Sequence, residues 1–293
     1  LRPPVATGGR GAVSRLSIAR VRSMLPLHDW PLAQRQQIVG VFTDIDDTLT
    51  SDGVVPPGAV QALLDLHSAG LHVVPITGRP VGWSEPYAAQ WAVDAIVAEN
   101  GAVALVPGHA PGQPVRKLYQ QNSATRVAQF ARMQQVAQRI LREVPGATLA
   151  QDSPGRETDI AIDHSEFAHL PPERIAQVVQ IMQAQGMNAS VSSIHINGWY
   201  GTHDKWAGAR WVVRQLWGRD LAAELARWVY VGDSTNDQVM FATFTHSVGV
   251  ANIRRFAAQL THWPRYVTDH ERSAGFEQVA RAVLQARGSK SQR

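Results

Sequence analysis

Three polar runs in this chain begin where apolar segments stop. Asp44, Asp46, Asp47 and Thr48 follow "VGVFT", Thr77-Gly78-Arg79 follows "LHVVPI", and Gly232-Asp233-Ser234-Thr235-Asn236-Asp237 follows "WVYV". Lys205, one of only three lysines alongside Lys117 and Lys290, opens a helix-like stretch. Carboxylates crowded together repel and raise one another's pKa, so a site gathering Asp44, Asp46 and Asp233 needs a compensating charge. A hard divalent cation supplies it, and Mg2+ is the natural choice because it takes oxygen ligands, keeps several waters and works with phosphates. A phosphate there needs donors for its other oxygens. The Thr77 hydroxyl, the Gly78 amide and the Lys205 ammonium are of the right types. The cation also offsets the repulsion between two anions, so that Asp44 can attack phosphorus.

The elements that must position these residues can be read from periodicity. "IVGVFTDI" reads as a buried strand, "GAVQALLDLHSAG" as a helix, "LHVVPIT" as a strand, "VGWSEPYAAQWA" as a helix and "AIVAEN" as a strand. Alternating strands and helices predict βαβ crossovers and a parallel sheet, whose ligands bind beyond the carboxyl ends of the strands. From about Leu118 the rhythm changes to two helix-strand-strand units: "SATRVAQFARMQQVAQRILREV", "ATLAQ" and "TDIAID", then "PPERIAQVVQIMQAQG", "MNASVS" and "SIHING". This αββαββ order predicts an antiparallel sheet with both helices on one face, and the alternation resumes from His203. The expected division is a loosely ordered N-terminal extension over 1–37, core over 38–117, an inserted α+β domain over 118–202, and core again over 203–293.

Composition narrows the function classes. With 293 residues, 44% hydrophobic and 18% charged, the chain has the make-up of a globular protein of one large or two linked domains. The absence of cysteine excludes thiolate catalysis and cysteine-ligated metal. There is no run of eighteen apolar residues, so no membrane partner is expected. A net charge of +4, part of it in the arginine-bearing first forty residues, does not argue for nucleic acid. That stretch lacks an apolar h-region and cleavage site, and the expected location is cytoplasmic. Oligomeric state is not readable.

Each motif residue also has a purely structural reading. Asp233, Ser234 or Thr235 could cap a helix, Asp47 and Thr48 could hold a turn, and Thr77-Gly78 could be an ordinary strand exit. Lys205 and Asp44 resist that reading, since a cation at a helix start opposes the dipole and a buried carboxylate needs compensation. An EF-hand reading of "DIDDTLTSDG" fails because Leu49 occupies the sixth position, where glycine is required.

Taken together, Asp44-Ile45-Asp46-Asp47-Thr48, Thr77-Gly78-Arg79, Lys205 and Gly232 to Asp237 resemble the four motifs of the haloacid dehalogenase superfamily. "AENGA" at Ala98 and the position of the αββαββ insertion further resemble its Cof-like, sucrose-phosphate and mannosyl-phosphoglycerate phosphatase subgroup. The resemblance implies a Rossmann-like doubly wound core, a mobile cap, Mg2+ and an aspartyl-phosphate intermediate. It makes Asp44 the nucleophile and a metal ligand. Asp46 becomes the acid and base, with its backbone carbonyl reaching the metal. Asp233 completes the metal shell, Asp237 acts through a water, and Asn236 orients nucleophile or phosphate. Asp47 stands where the subgroup has glycine, which puts the local loop shape in question.

On the cap, Ile160, Ile162, Ile194 and Ile196 are expected under the helices, leaving Asp159, Asp163, Ser193, His195 and Asn197 on the opposite face. His195, Asn197 and Trp199, with Arg156 and Glu157 from a loop, are the candidate substrate contacts. "NGWYGTH" from Asn197 reads as a hinge. The expected function is a Mg2+-dependent phosphomonoester hydrolase acting on a small phosphorylated metabolite, a sugar phosphate first. The alternatives are a sugar phosphomutase and a phosphate-binding adaptor without turnover.

Overall fold

The computed structural model describes residues 24–108, 110 and 112–288. Among these, a parallel sheet of six strands runs in the order β1 (Leu25–Pro26), β13 (Tyr266–Val267), β12 (His246–Gly249), β11 (Trp228–Gly232), β2 (Gly40–Thr43) and β3 (His72–Pro75). Chain order departs from β2 in both directions, to β3 on one side and to β11 on the other. The switch point therefore lies between β2 and β11, where a crevice opens beyond the strand ends.

Both faces of the sheet are covered. Val41, Val229 and Val231 join Leu63, Leu66, Phe276 and Val283 in one apolar cluster, with α2 (Pro57–Ser68) and α8 (Arg272–Gly288). Their strand neighbours Phe42, Trp228 and Tyr230 join Val212, Val213 and Phe241 in the other, with α6 (Lys205–Trp217) and α7 (Gln238–Thr243). Strands buried on both sides read as continuous apolar runs, as "VGVF" and "WVYV" do. The doubly wound core is the expected one.

β4 (Ile96–Ala98) was expected, but it turns into an antiparallel sheet with β5 (Val103–Val106) and β6 (Arg116–Tyr119). The last two strands had no counterpart in the sequence reading. A parallel bridge between Ile76 and Val97 joins this sheet to the end of β3.

The insertion folds in the expected order. α4 (Ser123–Glu143) is capped by Asn122, which accepts from the Thr125 amide, and buries Met133, Val136, Ala137 and Ile140 at helical spacing. α5 (Pro172–Ala184) starts on proline, whose missing N–H costs nothing there. Both pack on the antiparallel sheet β7 (Thr148–Leu149), β8 (Ile160–Asp163), β10 (His195–Trp199), β9 (Asn188–Val191). Ile160, Ile162 and Ile196 lie under the helices, but Ile194 does not. It sits in the bend before β10 and faces the crevice, because the hairpin reverses the alternation there.

The loose extension expected over 1–37 needs correction where it is described; residues 1–23 lie outside the described part. Leu25 and Pro26 form β1 along β13, and α3 (Val81–Gln90) and the short α1 (Leu32–Arg35) complete the helices. Trp30 is fully buried, with its ring 5.7 Å from Tyr266 and 5.3 Å from His246. Ala251–Phe256 forms a 3-10 segment. No described helix is long and apolar enough to cross a membrane.

Trp30 is fully buried in the core, so Trp30→Ala is expected to destabilise the protein by about 3–5 kcal/mol. A lower urea midpoint would register this; an unchanged midpoint would mean that 24–37 is not part of the cooperative core.

Candidate active site

The loops leaving β2 and β11 bring Asp44 and Asp233 together at the switch point. The Asp44 amide donates to Val231 O at 2.8 Å, continuing the β2–β11 pairing as far as Asp44. Carboxylate oxygens of Asp44, Asp233 and Asp237 lie within 4.8 Å of one another, all buried. Asp233 Oδ1 is buried with no hydrogen-bond partner, while Oδ2 accepts from Asn252 Nδ2 at 3.2 Å. Asn252 also donates to Asp47 O at 3.0 Å, tying the two acidic loops together.

Lys205 is the counter-charge. Its ammonium lies 2.7 Å from Asp44 Oδ1 and 2.7 Å from Asp237 Oδ1, and the residue is 2% exposed. It occupies the first position of α6, where a cation is unfavourable; the preceding Asp204 caps the helix by accepting from the Ala207 amide. Burial would depress the ammonium, but Asp237 and Asp44 more than reverse this and hold it protonated.

One ammonium does not neutralise three carboxylates. Burial, with Asp237 and Asp46 adding to it against the pull of Lys205, pushes the Asp44 carboxyl up to about 8. Burial and the neighbouring Asp237 and Asp44 likewise push Asp233 well above the carboxylate range. An all-oxygen donor set, an unpartnered buried carboxylate oxygen and excess negative charge are what a hard divalent cation fits.

Of the acidic motif residues expected to gather here, Asp46 is the one that stands apart. Asp46 does not bring its carboxylate to this trio: Arg79 Nε donates to both of its oxygens at 3.0 Å. Asp237, expected to reach metal through a water, has both oxygens engaged. Oδ1 accepts from Lys205 and from the Tyr230 hydroxyl, and Oδ2 accepts from the Asp233 and Ser234 amides at 2.8 and 3.1 Å. These bonds tie Asp237 to Lys205 and to the turn after β11, while it remains one of the three gathered carboxylates. Asp47 adopts φ +53°, the left-handed region that glycine takes freely, and pairs with Arg272 at 3.0 Å. Aspartate therefore keeps the loop shape that the glycine would give.

Thr77 and Gly78 follow the β3 segment, which pairs with β2. The Thr77 amide donates to Val97 O, and the Arg79 amide donates to Thr77 Oγ1. Asn236 Oδ1 accepts from Ser234 Oγ at 2.9 Å. Asn236 shares with Lys205 a hollow of about 390 Å³ between β9 and the core.

Arg79, part of the second motif but given no role by the sequence reading, is the hub. Besides Asp46, it donates to Asp152 at 3.1 Å and to Glu166 at 2.7 Å, both on the cap. Asp163 fixes the loop carrying Glu166 by accepting from the amides of residues 165 to 168. Burial opposes ionisation of Glu166, but His195 and Arg79 overcome it and hold the carboxyl at about 2.

The cap residues expected to touch substrate are mostly committed to docking. Arg156 donates to Asp159, to Asp152 and to Gly78 O at 3.0 Å. Glu157 pairs with Lys117 and accepts from Tyr119. His195 contacts Glu166 Oε2 at 2.8 Å, and Asn197 donates to Asp159 and Gly78 O. Trp199 Nε1 donates to His203 O, but the residue lines the hollow with Lys205. A polar row on a half-open sheet looks the same in sequence whether it meets ligand or core.

Glu99, also unanticipated, clamps the two bodies. Its fully buried carboxylate accepts from the Val81 amide on the core and from the Glu157 and Thr158 amides and Thr158 hydroxyl on the cap. Gly82 and Gly155 pack so tightly beside it that a Cβ on Gly82 would come 2.8 Å from the Gly155 Cα.

Residues 41–146, about a third of the chain, match the sequence pattern of the haloacid dehalogenase-like hydrolases. No curated protein sequence matches. Among solved structures, Thermoplasma acidophilum 0175 is 15% identical, over 85% of this chain and 99% of that one, with a TM-score of 0.63. A HAD/COF-like hydrolase from Plasmodium vivax is 16% identical, over 88% and 99%, with a TM-score of 0.62. The sucrose-phosphatase from Synechocystis sp. PCC6803 is 15% identical, over 85% and 98%, with a TM-score of 0.58. At such identities the likeness is one of fold. The sequence match is thus to the first core segment, and beyond it the chain shares the fold of these proteins.

Replacing Glu99 by Gln puts an amide donor where three backbone N–H groups point. Glu99→Gln is expected to cost about 1–3 kcal/mol and to speed hydrogen exchange at the Glu157 and Thr158 amides. Unchanged exchange there would remove the clamp.

Proposed function

We propose that this chain is a haloacid dehalogenase-like hydrolase, a Mg2+-dependent phosphomonoesterase acting through an aspartyl-phosphate on a small sugar phosphate, with the insertion as its mobile cap. The observation that carries the reading is the buried Lys205 ammonium, 2.7 Å from Asp44, beside the partnerless Asp233 oxygen. Asp44 and Asp233 would hold the Mg2+, with the Asp46 carbonyl as a further ligand. When bound, the ion would neutralise the trio and the phosphoryl oxygens.

In the first step an Asp44 oxygen attacks phosphorus and the ester P–O bond breaks. The leaving alkoxide takes its proton from Asp46, for which Arg79 fixes the orientation. In the second step Asp46 takes a proton from water, whose oxygen attacks the acyl phosphate and releases inorganic phosphate and the Asp44 carboxylate. Thr77, Gly78 and Lys205 supply donors to the phosphoryl oxygens, and Asn236 is placed to assist from the Lys205 side.

The second hollow supports a neutral leaving group. It holds about 510 Å³, includes Asp46, and is lined by Asp47, Asp52 and Glu166 against only Arg79 and Arg272. Both guanidinium groups are already paired, Arg79 with Asp46 and Glu166, and Arg272 with Asp47 and Asp52. A second anionic group on the substrate would meet excess negative charge, whereas hydroxyls find acceptors and donors. Solved proteins of this fold include a sucrose-phosphatase holding sucrose and phosphate and a trehalose-6-phosphate phosphatase related protein, which agrees with that preference.

Asp44→Asn should abolish phosphate release from a panel of sugar phosphates, by about 10³-fold or more, and chelation of Mg2+ should do the same to the unaltered protein. Turnover surviving both would sink the mechanism. Isomerised sugar phosphate without free phosphate would indicate a mutase instead.

A further inference from the structure

The turn after β4 carries three consecutive positive φ angles, at Glu99 (49°), Asn100 (54°) and Gly101 (107°). Such backbone persists in non-glycine residues only where the surroundings enforce it, and it concentrates at working sites. Here the surroundings are the two elements that deliver the phosphate donors. On one side the Asn100 amide donates to Thr77 O at 2.9 Å, and a Cβ on Gly78 would stand 3.4 Å from both terminal atoms of the Asn100 side chain. On the other, Gly101 packs against the cap of α6 so closely that a Cβ would lie 2.2 Å from Asp204 O. Asn100 is thus wedged between the Thr77-Gly78 exit and the helix that begins at Lys205.

Its side chain is 2% exposed, and Nδ2 is buried without a hydrogen-bond partner. It shares the hollow of about 390 Å³ with Lys205 and Asn236. Other donors around it are occupied: Lys205 bonds to Asp44 and Asp237, and Asn197 to Asp159 and Gly78 O. A buried amide N–H left unpaired is costly, and one held in strained backbone between two phosphate-binding elements has an evident acceptor. Glu99, clamped by backbone N–H groups from core and cap, keeps the turn from relaxing away.

We propose that Asn100 is a further substrate-binding residue, whose Nδ2 donates to a phosphoryl oxygen held between Gly78 and Lys205. The inference rests on the phosphoryl-transfer reading given above. A neutral donor strengthens anion binding there without adding a charge that would compete with Lys205 for Asp44. The anion also selects the amide orientation, with nitrogen rather than oxygen facing inward.

The test is calorimetric titration of inorganic phosphate into the Mg2+-loaded protein, its Asn100→Asp variant and its Asn100→Gly variant. Aspartate keeps size and tolerates left-handed backbone while replacing the donor by an anion. Glycine removes the amide and relieves the strain, so the fold survives even if the aspartate variant does not. Both variants should bind phosphate about ten- to a hundredfold more weakly. Phosphate affinity within twofold of the unaltered protein in either folded variant would overturn the proposal, as would an unaltered protein that binds no phosphate with Mg2+ present. If the unaltered protein binds phosphate in an Asn100-dependent way yet hydrolyses no ester, the inference stands and the hydrolase reading falls.

Discussion

The contact of one buried ammonium with two carboxylates organises this molecule. Lys205 is 161 residues from Asp44 and 32 from Asp237, so the pair of bonds closes the loops after β2 and β11 and the start of α6 onto one point. Dehydrating three ionic groups is expensive, and their mutual attraction offsets it only when the geometry is tight and the remaining lone pairs are filled. Here Tyr230 and two backbone amides fill those of Asp237. Asp233 Oδ1 is the exception, and the imbalance it marks is where a cation would bind.

A second ionic constraint lies above the first. Arg79 leaves the same loop as Thr77 and Gly78 but spends its guanidinium on three acids: Asp46 of the core, and Asp152 and Glu166 of the cap. Because one planar group serves all three, the orientation of Asp46 and the seating of the cap are mechanically linked. The contacts between insertion and core thus include the groups that fix the Asp46 carboxylate.

The core site was legible because its residues obey a positional rule. Asp44, Thr77 and Asp233 each follow a buried strand of a parallel sheet, and Lys205 violates the helix dipole, which asks for a reason. The cap site was not legible to the same degree. Strand alternation puts His195 and Asn197 on the face opposite the buried isoleucines, and Arg156 lies on the loop before β8, but their partners are core atoms and neighbouring acids, which sequence pattern cannot distinguish from ligand atoms. Trp30 escaped notice because a lone tryptophan between prolines produces no periodicity, although the core closes over it. "GAVALV" and "RKLYQ" escaped for a related reason: their partners are each other and β4, and no helix separates them to signal a strand.

Glu99 and Asn100 show what pattern reading loses most readily. In sequence they are two polar residues after a strand, which most often means a turn at the surface. In the structure their backbone N–H groups donate to Arg79 O and Thr77 O, so the turn runs alongside the second motif and is carried under the cap with it. Depth follows from this pairing rather than from residue type. Once buried, a carboxylate must find donors and an amide must find acceptors. Glu99 finds its donors on both core and cap, which makes it a hinge-side anchor, whereas the Asn100 amide faces only the space between Gly78 and Lys205. Neighbouring residues in one strained turn thereby divide the tasks of holding the cap and meeting the ligand.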